Sequence, residues 1–299
     1  MEEILGLLNI KTSYNERLIE IENITNQNYT ILNLTLVSPS LNYDQNSFII
    51  TPKGLQNSKR GRKDGIVLFG YERKSKYNNT NSDNNLYTNL NSDTNNNNEE
   101  PEDFLLNDFA FPIEEKEDNG GLYEFPNFAI YFNTKDRNYY IKDFNTGLGA
   151  LMKITKKYKM DKNTLVNIGS NYLVVNIENS KLIIKIFNRK ILENKNNKEN
   201  IRKNCDIKYF SYENNKNKIV TLGRGENCDI SIEDVMISKI HSCIEYNVRE
   251  KIFYLCDGDG KKESTNGTWV FILNPIQIKD NFVFKAEHTL FIVSLSNSK

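Results

Sequence analysis

An internal repeat constrains this chain more than any other feature. Laid over each other without a gap, FAIYFNTKDRNYYIKDF (128–144) and SCIEYNVREKIFYLCDG (242–258) pair Ile130 with Ile244, Phe132 with Tyr246, Asn133 with Asn247, Tyr140 with Tyr254 and Asp143 with Asp257. Each copy sets short apolar runs on either side of a polar stretch, the pattern of two strands joined by a turn. Upstream, GIVLFGYE (65–72) matches KIVTLGRG (218–225) and LNDFAFPIE (106–114) resembles ENCDISIED (226–234); downstream, LGALMKI (148–154) lies over NGTWVFI (266–272). The same succession of segments occurs twice, so the chain reads as two copies of one β-rich unit.

The remaining apolar runs agree with an all-β fold. SFIITP (47–52), GIVLFGY (65–71), FAIYF (128–132), NYYIKDF (138–144), TLVNIG (164–169), NYLVVNI (171–177) and KLIIKIF (181–187) are short, β-branched and aromatic, with turn residues between them, and helical periodicity is scarce. Many short strands at this spacing predict antiparallel sandwiches or barrels. With 299 residues there is length for two ordinary domains. The stretch Lys74–Asn98 is almost wholly Asn, Ser, Thr, Asp and Tyr, too poor in apolar side chains to offset the entropy of ordering it, and predicts a disordered insertion over about 74–103. A second polar stretch, 191–204, reads as a linker. The expected organisation is an N-terminal extension (1–45), a first domain (46–190), the linker and a second domain (205–297).

Composition narrows the function classes. Lys+Arg and Asp+Glu balance at 39 each, which disfavours nucleic acid as the main partner. The N-terminus MEEILGLL has acidic residues where a secretory signal needs basic ones, and no apolar run approaches the ~18 residues of a membrane helix. A soluble, intracellular protein, cytoplasmic or nuclear and without a membrane partner, is expected. Cys205, Cys228, Cys243 and Cys256 stand singly and read as free thiols; a zinc set of Cys228, His241, Cys243 and Cys256 has no common ligand spacing. His241 and His288 sit in no nucleophile motif, so the chain is expected not to be an enzyme and to need no cofactor.

The residues with recognisable chemistry lie between Val220 and Val270. There TLGRGENCDI, ISKIHSCIEY and ESTNGTWV carry in turn a Gly-Arg turn, a Ser-x-x-His turn and a Ser-Thr-Asn-Gly-Thr turn on alternating strands. Each alone is weak: Asn-Gly is a common hairpin turn, Asn266-Gly-Thr268 is also a glycosylation sequon, Gly223-x-Gly225 lacks the Lys-Ser/Thr of a P-loop, and DGDG (257–260) lacks the spaced ligands of a calcium loop. In conjunction and in this order, over roughly 205–297, they resemble the forkhead-associated (FHA) domain. The resemblance implies a β-sandwich whose loops at one end bind a phosphothreonine peptide. It also implies roles: Arg224 forks onto the phosphate, Ser238 and the Lys239 backbone N–H donate to it, Thr265 adds a contact, and Asn266 bonds the peptide main chain. Gly223, His241, Gly267 and Thr268 would support these loops. A phosphate dianion calls for such a set, a planar cation with hydroxyl and N–H donors held on rigid turns. The longer DGDGKKES segment (257–264) is a departure from the family pattern, and its Lys261 and Lys262 lie in a loop that is either a specificity element for acidic flanking residues or a solvated charged turn.

The first copy lacks these groups. By the alignment Tyr71 stands at the Arg224 position, Glu124 at Ser238, Asn127 at His241, Leu148 at Asn266 and Ala150 at Thr268, and Arg73 two residues on could replace the cation only in a shifted turn. The expectation is a degenerate FHA-like domain and a phosphothreonine-dependent adaptor acting through the second copy. Two other readings stay open: a phosphate-independent scaffold subunit, and a nucleic-acid-associated protein using the basic run Lys59–Lys63.

Overall fold

The structure, a computed structural model, describes residues 2–37, 46–58, 60–71, 107–111, 125–178, 181–188, 205–211, 219–287 and 289–298. The expected Asn-rich insertion and the 191–204 linker lie outside these residues, as do Lys59, Arg73, Glu124 and His288. All seven apolar runs identified in the sequence form strands, and the fold is all-β apart from two helices near the N-terminus, Glu2–Leu7 and Tyr14–Thr25. The second helix starts at a capping box: the Glu16 N–H donates to Ser13 Oγ at 3.4 Å while the Ser13 N–H donates back to Glu16 Oε2 at 3.0 Å. Its inward face carries Arg17, Ile21 and Ile24, and the buried Arg17 guanidinium donates to the carbonyls of Asp64 and Phe132 at 2.6 and 2.7 Å.

Two compact units form, each assembled from separated segments. The first comprises residues 1–149, 274–281 and 293–299. One of its sheets has the order Phe109–Phe111, Ile66–Tyr71, Phe128–Asn133, Asn138–Asp143, Ile276–Gln277, and strands Thr30–Leu36, Ser47–Thr51 and Gly54–Leu55 pair antiparallel in that order. Stacked Phe69 and Phe128 rings, with centroids 4.4 Å apart, help to fill its interior.

The second unit comprises residues 150–273 and 282–292. One sheet runs Ile230–Ser231, Ile219–Gly223, Ser242–Asn247, Ile252–Asp257, Tyr158–Lys159, the same arrangement as its counterpart in the first unit, including the parallel pairing of its first two strands. The other runs Asp206–Ser211, Lys181–Asn188, Asn171–Glu178, Asn163–Ile168, Trp269–Phe271, Ala150–Lys153, Val283–Ala286. Alternation does the sorting between faces. Leu182, Ile184 and Ile186 point inward from one strand and Leu173 and Val175 from its neighbour, meeting Val220, Leu222, Ile244 and Leu255 of the facing sheet in a single apolar core.

The units do not follow the sequence boundaries 46–190 and 205–297. Strands from Ala150–Lys153 to Lys181–Asn188, expected in the first domain, belong to the second unit, and segments 274–281 and 293–299, expected in the second domain, belong to the first.

The gapless alignment of the copies has a local cause. In both hairpins an Asn side chain caps the turn, Asn133 Oδ1 accepting from the Lys135 N–H and Asn247 Oδ1 from the Arg249 N–H, each at 3.0 Å. The turn closes on a left-handed residue, Arg137 (φ 56) or Lys251 (φ 56). A tyrosine hydroxyl then reaches back to the turn's acidic side chain, from Tyr140 to Asp136 and from Tyr254 to Glu250. Turn chemistry of this kind fixes loop length, and loop length fixes register.

Candidate functional site

The three turns named from the sequence meet at one end of the second unit's sandwich. The Gly-Arg turn leaves strand Ile219–Gly223 and lies against the Ser-x-x-His turn: the Arg224 N–H donates to the Ser238 carbonyl and the Gly225 N–H to the Lys239 carbonyl, both at 3.0 Å. Gly223 is required by this approach. A Cβ there would sit 2.2 Å from the Lys239 carbonyl oxygen, closer than any side chain can come. With its backbone spent on the neighbouring turn, Arg224 holds its side chain in solvent, and the guanidinium makes no ion pair among the described residues.

The third turn is joined to the second by side chains. Ser238 Oγ–H donates to Thr265 Oγ1 at 3.3 Å, the Thr265 N–H donates to Ser238 Oγ at 3.1 Å, and Asn266 Nδ2 donates to the Met236 carbonyl at 2.8 Å. Arg224, Lys239, Thr265 and Asn266 are exposed and Ser238 half-buried, so five groups able to bind an anion or a peptide backbone face solvent from three linked turns.

Beneath them lies a buried layer. His241 is fully enclosed; its Nδ1 accepts from the Ser238 N–H at 3.2 Å, which leaves the proton on Nε2, 3.1 Å from the Gly267 carbonyl. One imidazole thereby ties the second turn to the third. Burial pushes its pKa below the usual histidine value, against the bond to Gly267 and the charges of Asp257 and Asp234, so the ring is neutral at neutral pH. Thr268, also buried, donates to Asp257 Oδ1 at 2.6 Å and lies 2.7 Å from Ser242 Oγ. Gly267 turns the chain at φ 75.

Three supporting residues were missed in the sequence. Asp257 accepts from the Ser264 N–H and hydroxyl at 2.9 and 2.7 Å, and Ser264 Oγ in turn accepts from the Gly267 N–H at 3.0 Å, so the pair shapes the turn bearing Thr265 and Asn266. Asp234 closes the Ser238 turn by accepting from the Met236 N–H at 2.8 Å. The only sequence signal was an Asp at the strand end with a Ser just before Thr265. The intervening loop folds onto Asp259, whose carboxylate accepts the Lys261 and Lys262 N–H groups at 2.8 and 2.7 Å and leaves both lysine side chains exposed.

Other sequence candidates are placed differently. The imidazole nitrogens of His241 are both engaged, Cys228 Sγ–H donates to the Lys239 carbonyl, and among the described residues no group of His, Cys, Asp and Glu is placed to hold a metal ion. In the basic run, Arg60 is turned inward to ion pairs with Asp64 and Asp108 at 3.2 and 3.1 Å, and Arg62 lies over the Tyr14 ring. Those two guanidiniums are therefore engaged within the fold. In the first unit Tyr71 packs beside Phe111, Asn127 is buried and Leu148 is exposed, and none of these is a cation or a hydroxyl free of a ring. Among the described residues no helix is long and apolar enough to cross a membrane.

Residues 220–286 match the family model of the FHA domain, and no curated protein matches the chain. The matched segment begins inside strand Ile219–Gly223 and ends with strand Val283–Ala286, taking in all three turns. This part of the chain is similar to FHA domains, which in general bind phosphothreonine in partner proteins.

Proposed function

We propose that the protein is a phosphothreonine-dependent adaptor, which holds a partner through Arg224, Ser238, Lys239, Thr265 and Asn266. The observation that carries this reading is the exposed guanidinium of Arg224 on a turn fixed, backbone to backbone, beside Ser238 and Lys239. A phosphothreonine dianion entering there would meet a planar cation, the Ser238 and Thr265 hydroxyls and the Lys239 N–H, while Asn266 turned toward the peptide would hold its main chain. The first repeat, with Tyr71 and Leu148 in place of cation and clamp, acts in this reading as a structural half without a phosphate site of its own.

The test is titration of the whole chain with a peptide mixture of fixed phosphothreonine and degenerate flanks, beside the unphosphorylated and phosphoserine mixtures. Binding should require the phosphate. It should be about fourfold tighter for phosphothreonine than for phosphoserine, the factor for burying one methyl group at ~0.8 kcal/mol. Equal binding of phosphorylated and unphosphorylated mixtures would refute the proposal.

A further inference from the structure

Asp234 does more than close its own turn. Its second oxygen accepts three donations from a hairpin turn 64 residues earlier in the chain: the Ser170 N–H at 2.8 Å, the Ser170 hydroxyl at 2.7 Å and Asn171 Nδ2 at 2.9 Å. This turn joins strands Asn163–Ile168 and Asn171–Glu178, which lie within the first domain's expected bounds, 46–190, and in the structure belong to the second unit. The fit is close. Gly169 sits at φ 54, and a Cβ on it would meet Asp234 Oδ2 at 2.6 Å and Ile237 Cγ1 at 2.8 Å. Partial burial pushes the Asp234 carboxyl up, but the donations from Ser170 and Met236 outweigh it and hold the group below the usual carboxylate range.

The same turn reaches the third site turn by a second route. Asn167 Nδ2 donates to the Gly169 and Asn171 carbonyls at 3.3 and 3.0 Å, and Asn167 Oδ1 accepts from Lys285 Nζ at 2.7 Å. Lys285 lies over the Trp269 ring, 4.5 Å from its centroid, and Trp269 Nε1–H donates to the Asn266 carbonyl at 3.0 Å. One hairpin turn is thus bonded toward the Met236–Lys239 segment through Asp234 and toward Asn266 through Lys285 and Trp269. Groups set back from the exposed face fix the spacing of the groups on it.

We propose that the turn Gly169–Asn171 is part of the phosphopeptide receptor, with Asp234 as the positioning residue through which it sets the Ser238 and Lys239 donors against Arg224. The proposal rests on the phosphothreonine reading of the site and assigns a hairpin outside the segment 220–286 a role in the affinity of the three site turns. Preorganised donors bind an anion more tightly than donors that must be ordered on binding, so loosening this turn should weaken binding while the sandwich stays folded.

The test uses the full chain and a fluorescein-labelled peptide mixture with fixed phosphothreonine, with Arg224→Ala as the control for the site itself. Asn171→Asp, which sets two carboxylates against each other, and Asp234→Asn should each weaken binding about tenfold, and together by clearly less than the product, because both act on one contact. In a Ser238→Ala background Asn171→Asp should cost less than in the native chain, an outcome that general destabilisation would not give. Ser170→Ala, which removes one hydroxyl from a half-buried turn, should weaken binding about threefold and decides the matter if either carboxamide exchange unfolds the protein. No binding by the native chain, or full binding by Arg224→Ala, would overturn the phosphothreonine reading. Native binding that Arg224→Ala abolishes, with native affinity in Asn171→Asp, Asp234→Asn and Ser170→Ala, would overturn the role of the turn alone.

Discussion

A fragment cut at the sequence boundary, residues 205–297, should not fold, although it holds the whole FHA match. The core of the second unit has nineteen buried apolar residues among the described residues, and nine of them, Ile154, Met160, Val166, Ile168, Leu173, Val175, Leu182, Ile184 and Ile186, precede residue 205. At about 1.5–3 kcal/mol for each buried side chain, the fragment forgoes roughly 15–25 kcal/mol of apolar burial. A domain's whole net stability is about 5–15 kcal/mol, so the loss exceeds what the remaining strands can supply even after allowance for a compact unfolded state. The fragment also lacks Ser170 and Asn171, the partners of Asp234.

Residues 150–299 restore every segment of that unit and should fold. The assay is thermal unfolding by circular dichroism with amide-proton NMR dispersion, run on both fragments, followed by titration with the phosphothreonine peptide mixture. The longer fragment should melt cooperatively and bind; the shorter should show neither a transition nor dispersed amides. A cooperative melt and native affinity in residues 205–297 would refute the reasoning, since the segment would then complete its own sandwich with strands that the structure assigns to the first unit.

Arg224→Ala should abolish measurable phosphopeptide binding in calorimetry while leaving the melting temperature unchanged, because the exposed guanidinium supplies charge-assisted bonds of about 1.5–3 kcal/mol each and supports no fold contact. His241 has a folded-state pKa below its unfolded value, so its contribution to stability is present above pH ~6.5 and is lost as pH falls through the folded value. Chemical denaturation across this range should show His241→Gln less stable at neutral pH and less sensitive to acid than the native chain. Lys285 is depressed by burial to about 8, so the native chain should gain stability relative to Lys285→Met as pH rises from about 8 towards ~10.4, where the unfolded lysine still carries a proton that the folded one has lost. A difference between the two proteins that is flat with pH would refute the burial of this amine.

What could be read from the sequence and what could not divide along one physical line. Gly223, Arg224, Ser238, His241 and Asn266 were legible because turn residues act locally: a glycine where backbones touch, a histidine three residues past the serine whose N–H it accepts, an asparagine before a glycine at positive φ. The strands were legible because β-branched alternation states which face is buried. The helix Tyr14–Thr25 was not, since beside its capping box it buries an arginine on the face where an apolar residue would have completed a helical period. Asp234, Ser264 and Asp257 escaped because an Asp or Ser beside a turn is common and only the folded turn shows which N–H it accepts. Strand partnership escaped for a deeper reason. Alternation at Leu173 and Val175 specifies an inward face but not whose inward face, and backbone ladders pair any two strands of matching length and register. The choice between partners is made by contacts as specific as Ser170 and Asn171 on Asp234, where one hairpin turn bonds a carboxylate distant in the chain.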